Sequence, residues 1–279
     1  MKKKTFVFDL DGTLLNDDGT ISNDVIDIIK EISREKQIIY ATGRSYVGLP
    51  RSLEPIMSYA SYIITSNGTS IIKRNGEICY TDWISNDIAT SFLKQIENGQ
   101  LFAEILINGK WHIDEKMILN ASKIGLSTEL INYISKTRIT HNDLFEFLQK
   151  GKESIEKITV NLPIENRLAE KCTIGLTAEK MNLKCWTDKA HKIDIYNADT
   201  SKGKALQYLD SVGKIELSNT ICFGNDVNDL EMFRACRISI CMPEAIDEVK
   251  RVASYALKKT TTNRIIDAFD ILKVNAIIE

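Results

Sequence analysis

Two aspartates separated by a single residue, Asp9 and Asp11, close the apolar run TFVFDL and open the turn-forming DGT. Carboxylates this close concentrate negative charge, which is costly unless protons or a hard cation offset it. Mg²⁺ is the obvious cation. With the metal and a lysine screening the repulsion, the Asp9 carboxylate can attack phosphorus, splitting one hard hydrolysis into two easier steps through an acyl phosphate. Asp11 can then serve as acid and base. The bland alternative is a solvated turn or helix cap, since Asp-Gly is a common turn dipeptide.

Three further stretches are chemically loaded: Thr42-Gly43-Arg44 after QIIYA, Lys202 in TSKGKAL, and Gly224-Asn225-Asp226-Val227-Asn228-Asp229 after TICF. Thr42, Gly43 and Arg44 alone would pass for a polar strand-to-helix turn. Lys202 is predicted to open a helix, where its ammonium and the helix N-terminus can both face a phosphate. Lys204 falls on a different helical face and is expected to be solvated.

Position matters as much as type, because ligands of open parallel sheets bind beyond the C-terminal strand ends. TFVFDL reads as a parallel strand buried on both faces, and Ser22 caps a helix carrying Val25, Ile26, Ile29 and Ile32 at helical spacing. QIIYATG is a second buried strand, 46–58 a helix, and SYIITSNG a third strand. This alternation predicts right-handed crossovers and a parallel sheet. Asn75-Gly76 then marks a hairpin. From 84 to 189 the pattern changes to an α+β unit, with helices near 86–97, 115–135, 141–150 and 164–181, a second Asn-Gly hairpin in FAEILINGKWHIDE, and the strands ITVNLP and LKCWTD. Alternation resumes at KIDIYNADTSKGKALQYL and runs through TICFGND, VNDLEMFRAC, ISICM and EAIDEVKRVA to a last helix over 262–273. The expected fold is α/β: a Rossmann-like parallel-sheet core, 1–83 and 190–279, split by an inserted α+β domain, 84–189.

Composition adds exclusions. Of 279 residues, 43% are hydrophobic and 27% charged, and 36 basic against 38 acidic residues leave a net charge of -2. No global basic field draws nucleic acid or an anionic membrane, so neither is an expected partner. The start, MKKKTFVFDLDGT, holds too short an apolar run for a signal peptide, and no stretch reaches membrane-span length. The six cysteines lack CxxC spacing, and buried, reduced thiols in the cytoplasm are expected.

Taken together, DLDGT, ATGR, SKGKAL and GNDVND in this order resemble the haloacid dehalogenase (HAD) superfamily. The insertion, with TSNGTSI before a hairpin, looks like the Cof-type subgroup with a C2-class cap. The resemblance implies an Mg²⁺-dependent phosphatase with Asp9 as nucleophile and Asp11 as general acid/base. It implies that Thr42, Gly43, Arg44, Lys202 and Asn228 meet the phosphoryl group, Lys202 also neutralising Asp9. The metal would be held by Asp9, the Asp11 carbonyl and residue 225. There the sequence departs from the family's usual Gly-Asp-x-x-Asn-Asp: Asn225 replaces an aspartate, its amide oxygen can still coordinate Mg²⁺, and metal affinity is expected to fall unless Asp226 or Asp229 compensates. The implied substrate is a small phosphate ester, such as a sugar phosphate, handled by a monomer or homodimer. Trp83, Trp111, His112, Trp186 and His191 are cap-pocket candidates, and linkers near 82–86 and 187–192 candidate hinges. A phosphomutase of the same fold and a sugar-phosphate-binding regulator with weakened catalysis are the alternatives.

Overall fold

The computed structural model describes residues 3–96, 102–162, 167–187, 192–258, 263–275 and 277–278. The chain forms two compact units, one of residues 1–80 and 201–279 and the other of residues 81–200. Among the described residues the strands are β1 (Thr5–Phe8), β2 (Gln37–Ala41), β3 (Ala60–Thr65), β4 (Ser70–Lys73), β5 (Ile78–Thr81), β6 (Phe102–Ile107), β7 (Lys110–Asp114), β8 (Ile139–His141), β9 (Lys157–Asn161), β10 (Leu183–Thr187), β11 (Lys192–Asn197), β12 (Thr220–Gly224), β13 (Ile238–Cys241) and β14 (Tyr255–Ala256).

In the first unit an eight-stranded sheet runs β14-β13-β12-β1-β2-β3-β4-β5. β14 through β3 are mutually parallel, and the sheet turns antiparallel at β3–β4. The parallel strands are apolar on both sides because both are covered. Phe6, Phe8, Ile38 and Tyr40 pack with Val25, Ile29, Ile265 and Phe269. Val7, Ile39 and Ala41 pack with Leu206, Leu209, Met232 and Phe233. Phe8 stacks on Phe223 at 4.5 Å between centroids, locking β1 to β12 where both strands end.

In the second unit the sheet order is β10-β11-β9-β6-β7-β8, antiparallel throughout except for the parallel pair β7–β8. Ile105, Ile158, Val160, Ile193 and Ile195 pack on the helices Asn86–Ile96, Leu144–Lys150 and Arg167–Lys180. Strand alternation puts Glu104, Trp111, Lys157, Thr159, Asp194 and Tyr196 on the opposite face. There Lys157 pairs with Asp194 at 2.7 Å, Arg138 pairs with Glu104 at 2.7 Å, and the Tyr196 hydroxyl donates to Asp194 at 3.1 Å. Trp111 lies under both cations, 5.3 Å from Arg138 and 5.6 Å from Lys157.

Several expectations differ from the structure for identifiable reasons. KIDIYN belongs not to the core alternation but to this second sheet, where it is strand β11, antiparallel to β9 and β10. Its isoleucines and polar residues alternate, as a strand with one apolar face requires. The helix expected over 46–58 is broken into two 3₁₀ turns and the short helix Glu54–Met57, because Pro50 and Pro55 each remove a backbone donor. The helix expected over 115–135 is interrupted at Gly125, whose φ is +84°. All six thiols are free, but Cys172 is exposed and only Cys222, Cys236 and Cys241 are fully buried.

Candidate active site

Asp9 extends β1 by one ladder bond, its N–H donating to Phe223 O at 2.9 Å, so the carboxylate stands at the C-terminal edge of the parallel sheet. The chain then turns sharply: Thr13 N and Leu15 N both return to Leu10 O, and Gly12 takes φ +75°. Arg264 donates to Gly12 O at 2.7 Å and pins the turn from outside. Lys202 opens the helix Lys202–Ser211, with the Ser201 hydroxyl accepting from Lys204 N at 3.0 Å as its cap. Gly68, φ +110°, lies so close to this start that a Cβ would fall 2.1 Å from Ser201 O. A larger residue there would push the lysine's helix away. Lys204 itself is exposed, as its helical position predicts.

The charges at this edge are buried and shared. Lys202 Nζ donates to Asp9 Oδ1 at 2.6 Å and to Asp229 Oδ1 at 2.8 Å, with side-chain exposures of 0%, 6% and 0% for the lysine and the two carboxylates. Burial pushes the Asp9 carboxyl up to about 7; Lys202 opposes this, while Asp229 and Asp11 add to it. For Lys202 burial pulls downward, but Asp229 and Asp9 outweigh it and hold the ammonium protonated. Asp229 Oδ2 accepts the main-chain N–H groups of Asn225 at 2.8 Å and Asp226 at 3.1 Å. Both its oxygens are thus committed to the lysine and the loop, so it shapes residues 225 and 226 and has no oxygen directed to a metal. Asp226 is exposed, and its Oδ1 caps Val227 N at 2.7 Å.

The cation question turns on Asn225. One end of its amide lies 3.1 Å from Asp11 O and 3.2 Å from Asp9 Oδ2. If that end is nitrogen, it donates to both. If it is oxygen, three oxygens face one another, and a proton on Asp9 or a cation among them offsets the repulsion. Adjacent ligands of an octahedral Mg²⁺ at about 2.0–2.1 Å are separated by about 2.9 Å, close to the spacing seen here. The residues present therefore fit a hard cation. Among the described residues no three His, Cys, Asp or Glu side chains form a metal-holding group; this set is a carboxylate, a main-chain carbonyl and an amide instead.

Beside it, Thr42 follows β2, fully buried, its hydroxyl accepting from Arg44 N at 3.1 Å. Asn228 Nδ2 donates to Asn67 Oδ1 at 2.9 Å, and a Cβ on Gly43 would come 3.1 Å from the same oxygen. Asn67 thus joins the Gly43 loop to the Asn228 loop. It adopts φ +58°, fixed by Asn67 N donating to Thr42 O and Ser66 N donating to Arg44 O. Sequence reasoning assigned Asn67 no role, although its place at the end of the buried run SYIIT was a usable signal. Arg264 had none, since nothing local ties it to Gly12. The Arg44 guanidinium, expected on phosphate, is bidentate on Asp11, with Nε to Oδ2 at 2.8 Å and Nη2 to Oδ1 at 2.7 Å.

Of the aromatic and histidine candidates, Trp111 lies on the polar sheet face. His112 does not: its Nδ1 is 2.8 Å from His141 Nε2, and Phe147 stacks on both rings. Trp83 and Trp186 are half-buried, and His191 lies outside the described residues.

Comparison with known proteins gives this arrangement its class. The sequence profile of the haloacid dehalogenase-like hydrolases matches residues 6–269, and the chain belongs to that family. It is an enzyme, a hydrolase of phosphatase type. Among its relatives is the Bacillus subtilis 5-amino-6-(5-phospho-D-ribitylamino)uracil phosphatase YitU, 24% identical over 269 residues that cover 94% of this chain and 93% of the relative. The fold is shared with TM0651 of Thermotoga maritima, at TM-score 0.78, 21% identity and 97% coverage of each chain. It is shared also with BT4131, a HAD subclass IIB sugar phosphatase, at TM-score 0.75, 18% identity, and 99% and 100% coverage.

Proposed function

We propose that the chain is an Mg²⁺-dependent phosphatase of small phosphorylated metabolites, sugar phosphates in particular, acting through an aspartyl phosphate on Asp9. The observation that carries this reading is the division of labour on one buried carboxylate: Asp9 Oδ1 is held by Lys202, and Oδ2 faces the Asp11 carbonyl and the Asn225 amide. Mg²⁺, held by Asp9, the Asp11 carbonyl and Asn225, would supply charge stabilisation for the transferring phosphoryl group. The protein does the rest. Asp9 attacks phosphorus as the bond to the leaving oxygen breaks, and Asp11 gives that oxygen its proton. Asp11, now a carboxylate, takes a proton from water as the water oxygen bonds to phosphorus and Asp9 departs. Thr42, Gly43, Asn228 and Lys202 surround the place the phosphoryl group would take, and Asn67 and Asp229 hold their loops.

To the second unit, residues 81–200, we assign the choice of leaving group. Its polar sheet face, with Trp111, Lys157, Asp194 and Tyr196, offers the mixed aromatic and hydrogen-bonding surface that suits a polyhydroxylated group. The relatives named for a ribityl-phosphate substrate and for sugar phosphates support that class. No helix among the described residues is long and apolar enough to cross a membrane, and we place the reaction in the cytoplasm, consistent with six free thiols. Phosphate release from a panel of phosphorylated metabolites, with Mg²⁺ and with EDTA, tests the reading. Asp9→Asn is expected to abolish turnover while keeping the fold, since an amide cannot attack as the carboxylate does. Substantial residual turnover would overturn the mechanism.

A further inference from the structure

We infer that Arg44 is the positioning residue for Asp11: its fork, and not a contact with phosphate, is its contribution to the reaction. The inference rests on the reading of Asp11 as acid and base. Asp11 is half exposed, with a side-chain exposure of 50%, and both its oxygens are taken by Arg44. The guanidinium is itself tied down: Nη1 donates to Gly48 O at 3.3 Å, Arg44 N to the Thr42 hydroxyl, and Ser66 N to Arg44 O. An exposed carboxylate without such a fork samples several rotamers. A planar five-donor group on both oxygens selects one.

Magnitudes separate this role from a stabilising one. With the arginine side chain 39% exposed, the pair sits in the class of surface ion pairs that contribute little to folding, so its loss should leave the fold intact. Direction is what the fork supplies. When Asp11 carries the proton destined for the leaving oxygen, one N–H···O contact must yield, and the other arm keeps the carboxyl aimed. When Asp11 is a carboxylate awaiting the proton of water, both arms are engaged, as seen here. Three of the five guanidinium N–H groups are committed, Nε and Nη2 to Asp11 and Nη1 to Gly48, and the edge of the fork is turned to Asp11 and away from any other oxyanion.

The two roles predict different dependence on the leaving group. Nitrophenolate departs without a proton, whereas an alkoxide does not, and kcat/KM reports the steps through cleavage of the ester bond. Arg44→Ala should therefore lower kcat/KM for ribose 5-phosphate by about 10²-fold, a share of what general acid catalysis supplies. For p-nitrophenyl phosphate the loss should be at least tenfold smaller. Arg44→Lys, which keeps the charge but loses the fork, should remain deficient on the alkyl ester. Equal losses on both esters, or rescue of both by Arg44→Lys, would overturn the proposal and return Arg44 to the phosphate; so would an unimpaired alkyl reaction. Failure of the underlying reading looks different. Wild-type enzyme releasing phosphate from neither ester in Mg²⁺ would remove the basis for both, and turnover surviving in Asp9→Asn would fault the nucleophile without touching the ester comparison.

Discussion

Replacing Lys202 by methionine keeps the shape of the side chain and removes its charge, leaving Asp9 and Asp229 buried with no cation between them. The wild-type ammonium makes contacts of 2.6 and 2.8 Å to these carboxylates, and none of the three side chains is more than 6% exposed. Removing one partner of such a buried set costs about 3–5 kcal/mol, because what remains is uncompensated charge and not merely a lost contact. The assay is urea unfolding followed by far-UV circular dichroism in EDTA, so that no bound metal intervenes. All three tryptophans, Trp83, Trp111 and Trp186, lie in residues 81–200, so their fluorescence monitors the other unit as an internal control.

The sign of the pH dependence makes the experiment specific. In Lys202→Met, Asp9 loses the partner that opposed its burial and keeps Asp229 beside it, so its folded-state pKa lies further above the unfolded one. A carboxyl raised on folding favours the folded state while protonated and penalises it as pH rises through the folded value. The stability deficit of Lys202→Met should therefore be largest near pH 8 and shrink towards pH 5. The double variant Lys202→Met/Asp229→Asn should recover part of it at pH 8. A deficit below about 1 kcal/mol, or one independent of pH, would refute the electrostatic account and leave only packing at this position.

Three other outcomes follow from the same geometry. Asn225→Asp is expected to tighten Mg²⁺ binding, read by calorimetric titration, while preserving turnover; a well-folded, inactive Asn225→Asp enzyme would count against the assigned oxygen set. Because burial pushes Asp9 up to about 7, the metal competes with a proton, and Mg²⁺ affinity should weaken about tenfold per pH unit below that value; a flat profile from pH 5 to 8 would contradict the raised value. Trp111→Ala should raise KM for sugar phosphates more than for p-nitrophenyl phosphate, and equal changes would remove Trp111 from leaving-group recognition.

The strand-end residues were legible in the sequence because each follows a buried run whose period and composition announce a parallel strand. Asp9, Thr42 and Asn225 needed only local reading. Lys202 was found through its helix-opening position, but the strand before it was misassigned, because KIDIYN fits either a core strand or an inner strand of an α+β sheet until its partners are known. Partners 193 and 27 residues away fix what Lys202 does, and local pattern carries no such information. The same holds for Asp229, which looked like a spare metal ligand in GNDVND and proves to be the second carboxylate on the lysine. Asn67 and Arg264 act through main-chain and amide contacts that only the folded loops bring together.

Charge balance gives a reason for asparagine at 225 to be viable. With all three carboxylates ionised, Asp9, Asp11 and Asp229 carry three negative charges against the two positive ones of Lys202 and Arg44, so the inner protein site is negative by one. A divalent cation turns that to plus one with Asn225, but only to zero with aspartate. The neutral amide thus gives up attraction for the cation and gains attraction for an anionic phosphate ester once the cation is in place. At the short distances and low dielectric of this sheet edge, one unit of charge outweighs any single hydrogen bond among the loops. Under the proposed function, residue 225 would set how the site divides its electrostatic attraction between metal and substrate, while Asp9 and Lys202 would keep the chemistry itself.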